Sequence, residues 1–149
     1  MGRFDDLVGI ETSINRIGRI GNSREAARRR AERAGVTLSR PSVTILAALR
    51  SVGRLRMSNL AETTRLEAPL VSREVRDLVE GGYVIRRPDP GDGRVGIVEL
   101  TPLGRQTSER HRAAVDEIMA ETFAAWSEAD LTVLAGLLER VAADFARPA

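Results

Sequence analysis

Leu60–Leu100 reads LAETTRLEAPLVSREVRDLVEGGYVIRRPDPGDGRVGIVEL. Pro69 sits where the first turn of a helix tolerates proline, and Gly81-Gly82 is a natural stop for that helix. Upstream, Leu60 and Ala61 suit an inner helix: an apolar anchor and a small residue where two helices cross closely. Arg65 occupies the intervening turn, where many such motifs place glycine. Downstream, two strand-like runs, Tyr83–Arg87 and Arg94–Leu100, flank Pro88-Asp89-Pro90-Gly91-Asp92-Gly93, which reads as a turn. Helix, turn, helix and hairpin in that order describe a winged helix-turn-helix. That shape seats one helix in a DNA major groove with a hairpin beside it. The expected fold is therefore mainly α, with a small β-hairpin wing.

Outward from this stretch the chain reads as helices. Leu7, Ile10, Ile14 and Ile17 are spaced as one helical face. The spacing predicts a single helix, kinked near Gly21-Asn22, running to Ala34 and stopped by Gly35. Ser39 caps a second helix with Pro41 in its first turn and Ile45, Leu46 and Leu49 on its apolar side. A short extended piece, Leu55–Met57, leads to Ser58 as the cap of a two-turn helix. Thr101-Pro102 restarts a helix whose stripe is Val115, Ile118, Met119, Thr122, Phe123 and Trp126. Ser127-Glu128-Ala129-Asp130 resembles a capping box, and Leu131, Leu134, Leu138, Val141 and Phe145 line the last helix.

One integrated domain is expected: a dimerisation helix over 1–36, a winged lobe over 37–101, and C-terminal dimerisation helices over 102–149. The long terminal helices carry more apolar face than one subunit easily covers. Surplus of that kind points to a homodimer with an intersubunit bundle, which would read a pseudo-palindromic site.

Composition narrows the function. All 23 cations are arginine, and the formal net charge is +2. Residues 1–49 balance at +4, 50–94 at +2 and 95–149 at −4, so cations gather in the first two-thirds of the chain. No apolar run approaches the roughly 18 residues of a membrane span. The start of the chain, with acids at Asp5 and Asp6, lacks the pattern of a signal peptide, so a cytoplasmic location without membrane attachment is expected. The chain has no cysteine, which removes disulfides, thiolate metal sites and thiol redox sensing. The wing's aspartates and glycines do not follow the alternating ligand spacing of a calcium loop. No metal and no cofactor are therefore expected. His111, the only histidine, lies in the polar run Ser108-Glu109-Arg110-His111-Arg112 and reads as a solvated side chain. With no nucleophile near it in sequence, it argues against an enzyme.

On a helical wheel Val71, Val75, Leu78 and Val79 fall on one side, while Pro69, Ser72, Arg73 and Arg76 fall opposite, toward the N-terminal half. Such a half faces base edges in a recognition helix. Ser72 can bond a base edge or a phosphate, and Arg73 and Arg76 can pair with guanine or with phosphate. Ala68, the apparent N-cap, has no side chain to satisfy the first amides, which a phosphate can do. At the wing tip Arg94 can enter a minor groove, with Asp92 holding its guanidinium through a bidentate pair. The alternative is a winged helix used as a protein-interaction module, because fold does not settle function. The arginines gathered at the expected DNA face favour DNA.

These residues resemble the MarR family of bacterial transcriptional regulators over nearly the whole chain. The likeness is carried by GVTLSRPSVTILAAL, LVSREVRDLVEGGYVIRR, PDPGDGR with its Asp92-x-Arg94, then Leu100-Thr101-x-x-Gly104 and the SEADL start of the final helix. The resemblance implies a triangular homodimer that binds double-stranded DNA, with Arg94 in the minor groove and the helix from Pro69 in the major groove. It further implies a ligand-responsive repressor whose effector is a small, often aromatic or anionic molecule, held between dimer helices and lobe by residues still unknown. Gly93 departs from the family, which often has a second arginine there. The absence of cysteine excludes the family's peroxide-sensing branch.

Overall fold

The computed structural model describes residues 2–147. Its elements are α1 (Arg3–Gly21), α2 (Arg24–Ala34), α3 (Arg40–Val52), β1 (Leu55–Arg56), α4 (Met57–Thr64), α5 (Ala68–Glu80), β2 (Val84–Pro88), β3 (Gly96–Leu100), α6 (Pro102–Thr122) and α7 (Glu128–Ala146). The chain divides into two compact units, one ending at Val115 and one beginning at Asp116. Among the described residues no helix is long and apolar enough to cross a membrane.

The first unit is organised around Ile45, Leu46 and Leu49 of α3, Leu60 of α4, Val71, Val75 and Leu78 of α5, and Val84 and Val98 of the sheet. All of these are fully buried. Apart from Val79, the apolar spacing read from the sequence thus points inward on all three central helices. The sheet has three strands in the order β1-β3-β2, all antiparallel. The expected hairpin is there, pairing Val84 with Leu100 through to Pro88 with Gly96. Leu55 and Arg56 add a third strand by pairing with Val98 and Ile97.

Several local readings are corrected. The first helix is two helices: Asn22 closes α1, and the Ser23 hydroxyl caps α2 by accepting from the Ala26 amide at 3.1 Å. The N-cap of α4 is Arg56, and Ser58 lies inside that helix. The N-cap of α5 is Glu67, which makes no side-chain cap bond, so Ala68 is already helical. Arg65, in the turn between α4 and α5, takes φ +55°, the one positive value among described residues other than glycine. The turn does need the left-handed conformation that glycine adopts freely; here arginine carries it at some cost.

In the second unit α6 ends at Thr122, so Phe123 and Trp126 leave the helical stripe. They meet edge to face with centroids 5.3 Å apart. Ser127 caps α7 by accepting from the Asp130 amide at 3.1 Å, while Asp130 accepts from the Ser127 hydroxyl at 2.7 Å.

The Leu100-Thr101-x-x-Gly104 run has a physical explanation. The Thr101 hydroxyl donates to the Gly82 carbonyl (2.6 Å) and accepts from the Gly104 amide (3.1 Å), docking the start of α6 on the end of the recognition motif. The approach is so close that a Cβ on Gly104 would lie 1.9 Å from the Tyr83 carbonyl oxygen. Gly104→Ala should therefore destabilise the protein by about 1–3 kcal/mol, through forced displacement of backbone. Thermal unfolding at fixed protein concentration checks this, and an unchanged midpoint would refute the close-approach explanation.

Candidate nucleic-acid interface and effector cavity

Burial of Val71, Val75 and Leu78 dictates which residues of α5 face outward. Ser72, Arg73 and Arg76 are exposed, as is Pro69 in the first turn. One expectation for this helix fails: Val79 is 40% exposed rather than core. Glu74, to which the sequence assigned no role, is buried. The Glu74 carboxylate accepts hydrogen bonds from the Ser39 and Ser42 hydroxyls at 2.5 and 2.8 Å. Its second oxygen lies 4.0 Å from the Arg73 guanidinium. A buried acid is tolerable when donors of this kind meet it, and a helical wheel cannot show that they do.

In the wing, Arg94 is exposed at the tip. Asp92 does not hold its guanidinium; its carboxylate accepts from the Arg94 backbone N–H at 3.1 Å and so shapes the turn instead. The organising acid is Asp89, which sequence reasoning passed over as a turn former. It accepts from the Gly91 amide at 2.7 Å and from the Arg56 Nε at 2.7 Å, with its side chain almost wholly buried. The Gly91 amide first, and then the Arg56 charge, hold its carboxyl below the ordinary value. Because Arg56 is at once a β1 residue and the N-cap of α4, this pair ties the wing to the helix-turn-helix. Arg86 and Arg87 are the other surprise. They are exposed on β2 and line a shallow groove with Arg94, adding positive charge to a wing whose Gly93 supplies none. Arg87 also pairs with Glu99 at 3.2 Å. Period-two alternation could not have placed both, since it sends neighbours to opposite faces, whereas β2 is exposed at Arg86 and Arg87 alike.

Away from this face, within the first unit, α2, the start of α3 and α6 enclose a cavity of about 290 Å³. Its walls include Arg30, Ala31, Leu38, Arg40, Thr44 and His111. His111 is thus buried, not solvated as its polar neighbours suggest, and its Nε2 has no hydrogen-bond partner. Burial, and then the Arg30 charge, push its pKa below the ordinary value. Burial and the Arg40 charge lower that of Arg30 as well. Positive groups facing one another across a small cavity make a site suited to an anion.

The MarR family profile matches residues 35–95. The chain is 30% identical over 104 residues to YxaD, an uncharacterised helix-turn-helix transcriptional regulator of Bacillus subtilis, covering 70% of this chain and 73% of that one. Among solved structures it is similar to a probable transcriptional regulator from Pseudomonas aeruginosa (29% identity, 93% and 99% of the two chains, TM-score 0.68). It is also similar to BpsR of Bordetella bronchiseptica, whose DNA binding is regulated by 6-hydroxynicotinic acid (25% identity, 70% and 80%, TM-score 0.59).

The depressed pKa of His111 gives a signed prediction. As pH falls below the ordinary value of 6.5, the unfolded chain takes up the proton before the folded protein does. The stability from keeping His111 neutral is therefore complete above that value and declines as pH falls through it. The urea midpoint should drop between about pH 7.5 and about pH 5.5, and His111→Gln should flatten that drop. Equal slopes in both proteins would show that His111 does not titrate as a buried group.

Proposed function

The chain belongs to the MarR family and is a DNA-binding transcriptional regulator, and from that premise we propose a homodimeric repressor released by a small organic anion. The observation that carries the DNA face is the outward presentation of Arg73, Arg76 and Arg94 on a helix and a wing braced by one core. In this reading Ser72, Arg73 and Arg76 meet the major groove and Arg94 the minor groove. Asp92 shapes the wing turn behind Arg94. Pro69 stiffens the first turn of α5, whose uncapped amides approach a phosphate. Arg86 and Arg87 add phosphate contacts beside the wing. The protein acts by occupying DNA in the cytoplasm and not by catalysis.

The dimer reading rests on the terminal helices. Neither α1 nor α7 has a buried residue. Phe4, Leu7, Ile10, Ile14, Ile17 and Ile20 stand exposed on α1, and Val133, Leu137, Leu138 and Phe145 on α7. Apolar faces this long call for cover, and a second copy supplies it while setting two recognition helices about one DNA turn apart. The effector reading rests on the cavity: Arg30 and Arg40 offer cationic donors, and the Nε2 of His111 lacks a partner. An aromatic carboxylate suits that chemistry, and ligand-regulated DNA binding in BpsR supports it.

The DNA reading is tested by selecting an operator from a random duplex pool and measuring anisotropy at about 0.15 M salt. Arg94→Ala and Arg73→Ala should each weaken binding about tenfold relative to the wild type, with little change on a scrambled duplex. Selection of no sequence, or unaltered affinity in both variants, would return the winged lobe to a protein-interaction role. The dimer is tested separately by light scattering. Wild type should weigh as two chains and Ile14→Glu as one, because a charge cannot be buried unpaired in the interface. A monomeric wild type overturns that part of the reading.

A further inference from the structure

The segment from Leu38 through the first turn of α3 has two faces with different duties. Leu38, Arg40 and Thr44 border the cavity. Between them in sequence, Ser39 and Ser42 turn their hydroxyls onto Glu74, near the middle of the recognition helix. Both hydroxyls donate to the same carboxylate oxygen. Ser39 is further committed as the N-cap of α3, accepting from the Ser42 amide at 3.1 Å. Its oxygen therefore accepts from the helix it caps while its proton points at Glu74. Hydrogen bonds to a charged acceptor are the strong kind. Glu74 has been taken out of water, so breaking them leaves a buried carboxylate with fewer partners than it needs. The start of α3 and the middle of α5 are thus held in one register by polar bonds, beyond the apolar packing of Val71 and Val75.

We propose that the Ser39–Glu74–Ser42 clamp positions the recognition helix and carries the state of the cavity to it. The clamp begins on the residue between Leu38 and Arg40, both of which an occupant would touch. It ends one peptide unit from Arg73, an outward-facing arginine. An occupant that displaces the first turn of α3 moves both hydroxyls, and Glu74 follows them because the alternative is an unsatisfied buried charge. Purely apolar contacts between α3 and α5 could slide. A carboxylate fixed by two donors responds with a change of helix position. Glu74 is a positioning residue in this scheme: it touches no DNA and no ligand.

The proposal rests on the reading of the cavity as an effector site, but its test needs no effector. Ala31→Phe fills the cavity from α2 and stands in for an occupant. Operator affinity is measured by anisotropy for the wild type, Ala31→Phe, Glu74→Gln and the double variant, with thermal unfolding of each beside it. Filling the cavity should weaken operator binding about tenfold in the wild type and less than threefold where Glu74 is replaced, a non-additivity that lost stability alone would not produce. The same factor in both backgrounds overturns the proposal, as does an Ala31→Phe variant that binds the operator like the wild type. Should Glu74→Gln fail to fold, Ser39→Ala and Ser39→Thr replace it: loss of the hydroxyl should uncouple, and threonine, which keeps it, should not. Benzoate titrated into the wild type and read by thermal shift judges the anion reading independently. Coupling without benzoate binding keeps the clamp and removes the anion, whereas binding without coupling does the reverse.

Discussion

Burial of one side of α5 is the constraint on which the rest depends. Val71, Val75 and Leu78 are drawn into the core with Ile45, Leu46, Leu49 and Leu60, and at roughly 1.5–3 kcal/mol for each large apolar side chain this term dominates the lobe. Once those three residues point inward, helical geometry leaves Ser72, Arg73 and Arg76 no direction but outward. The sheet follows from the same packing, since Val84 and Val98 complete the core and the hairpin they begin projects the wing. Arg94 reaches solvent because β2 and β3 pair in a register that places the turn beyond Pro88 and Gly96.

Around this apolar centre, a few acids do positional work that hydrophobic packing does poorly. Asp89 gathers the Gly91 amide and the Arg56 guanidinium, so the base of the wing is tied to the start of α4. Glu74 gathers two serine hydroxyls and ties α5 to the cap of α3. Thr101 ties the start of α6 to Gly82. Each is a directional bond at a joint between elements, where sliding would change the spacing of the arginines that face outward. The cavity bordered by Arg30, Arg40 and His111 opens beside one of these joints, which is why its state can matter to a helix it does not touch.

Much of this is legible in the amino-acid sequence. The Pro69 start and Gly81-Gly82 stop of α5, the serine caps at Ser39 and Ser127, the threonine–proline start of α6 and the outward set Ser72, Arg73 and Arg76 all follow from short-range signals. What failed did so for identifiable reasons. Ser58 looked like a cap, but Arg56 occupies that position because β1 pairing ends there. Asp92 looked like a guanidinium partner two residues from Arg94, yet the nearest donor for a turn aspartate is the backbone amide. His111 sits among charged neighbours in sequence, and its helix nonetheless turns it into the cavity wall.

The sequence by itself determined the helix, turn, helix and hairpin order from α4 to β3, the family and the outward set Ser72, Arg73 and Arg76, because turn chemistry, capping and apolar period act within a few residues of each other. Only the tertiary structure decided which polar groups are buried and what they hold. Ser39 meets Glu74 across 35 positions, Arg56 of β1 reaches Asp89 in the wing turn, and His111 faces arginines on helices far earlier in the chain. A residue's polarity is set by its own atoms, but its burial and its partners are set by segments that become neighbours only when the core closes.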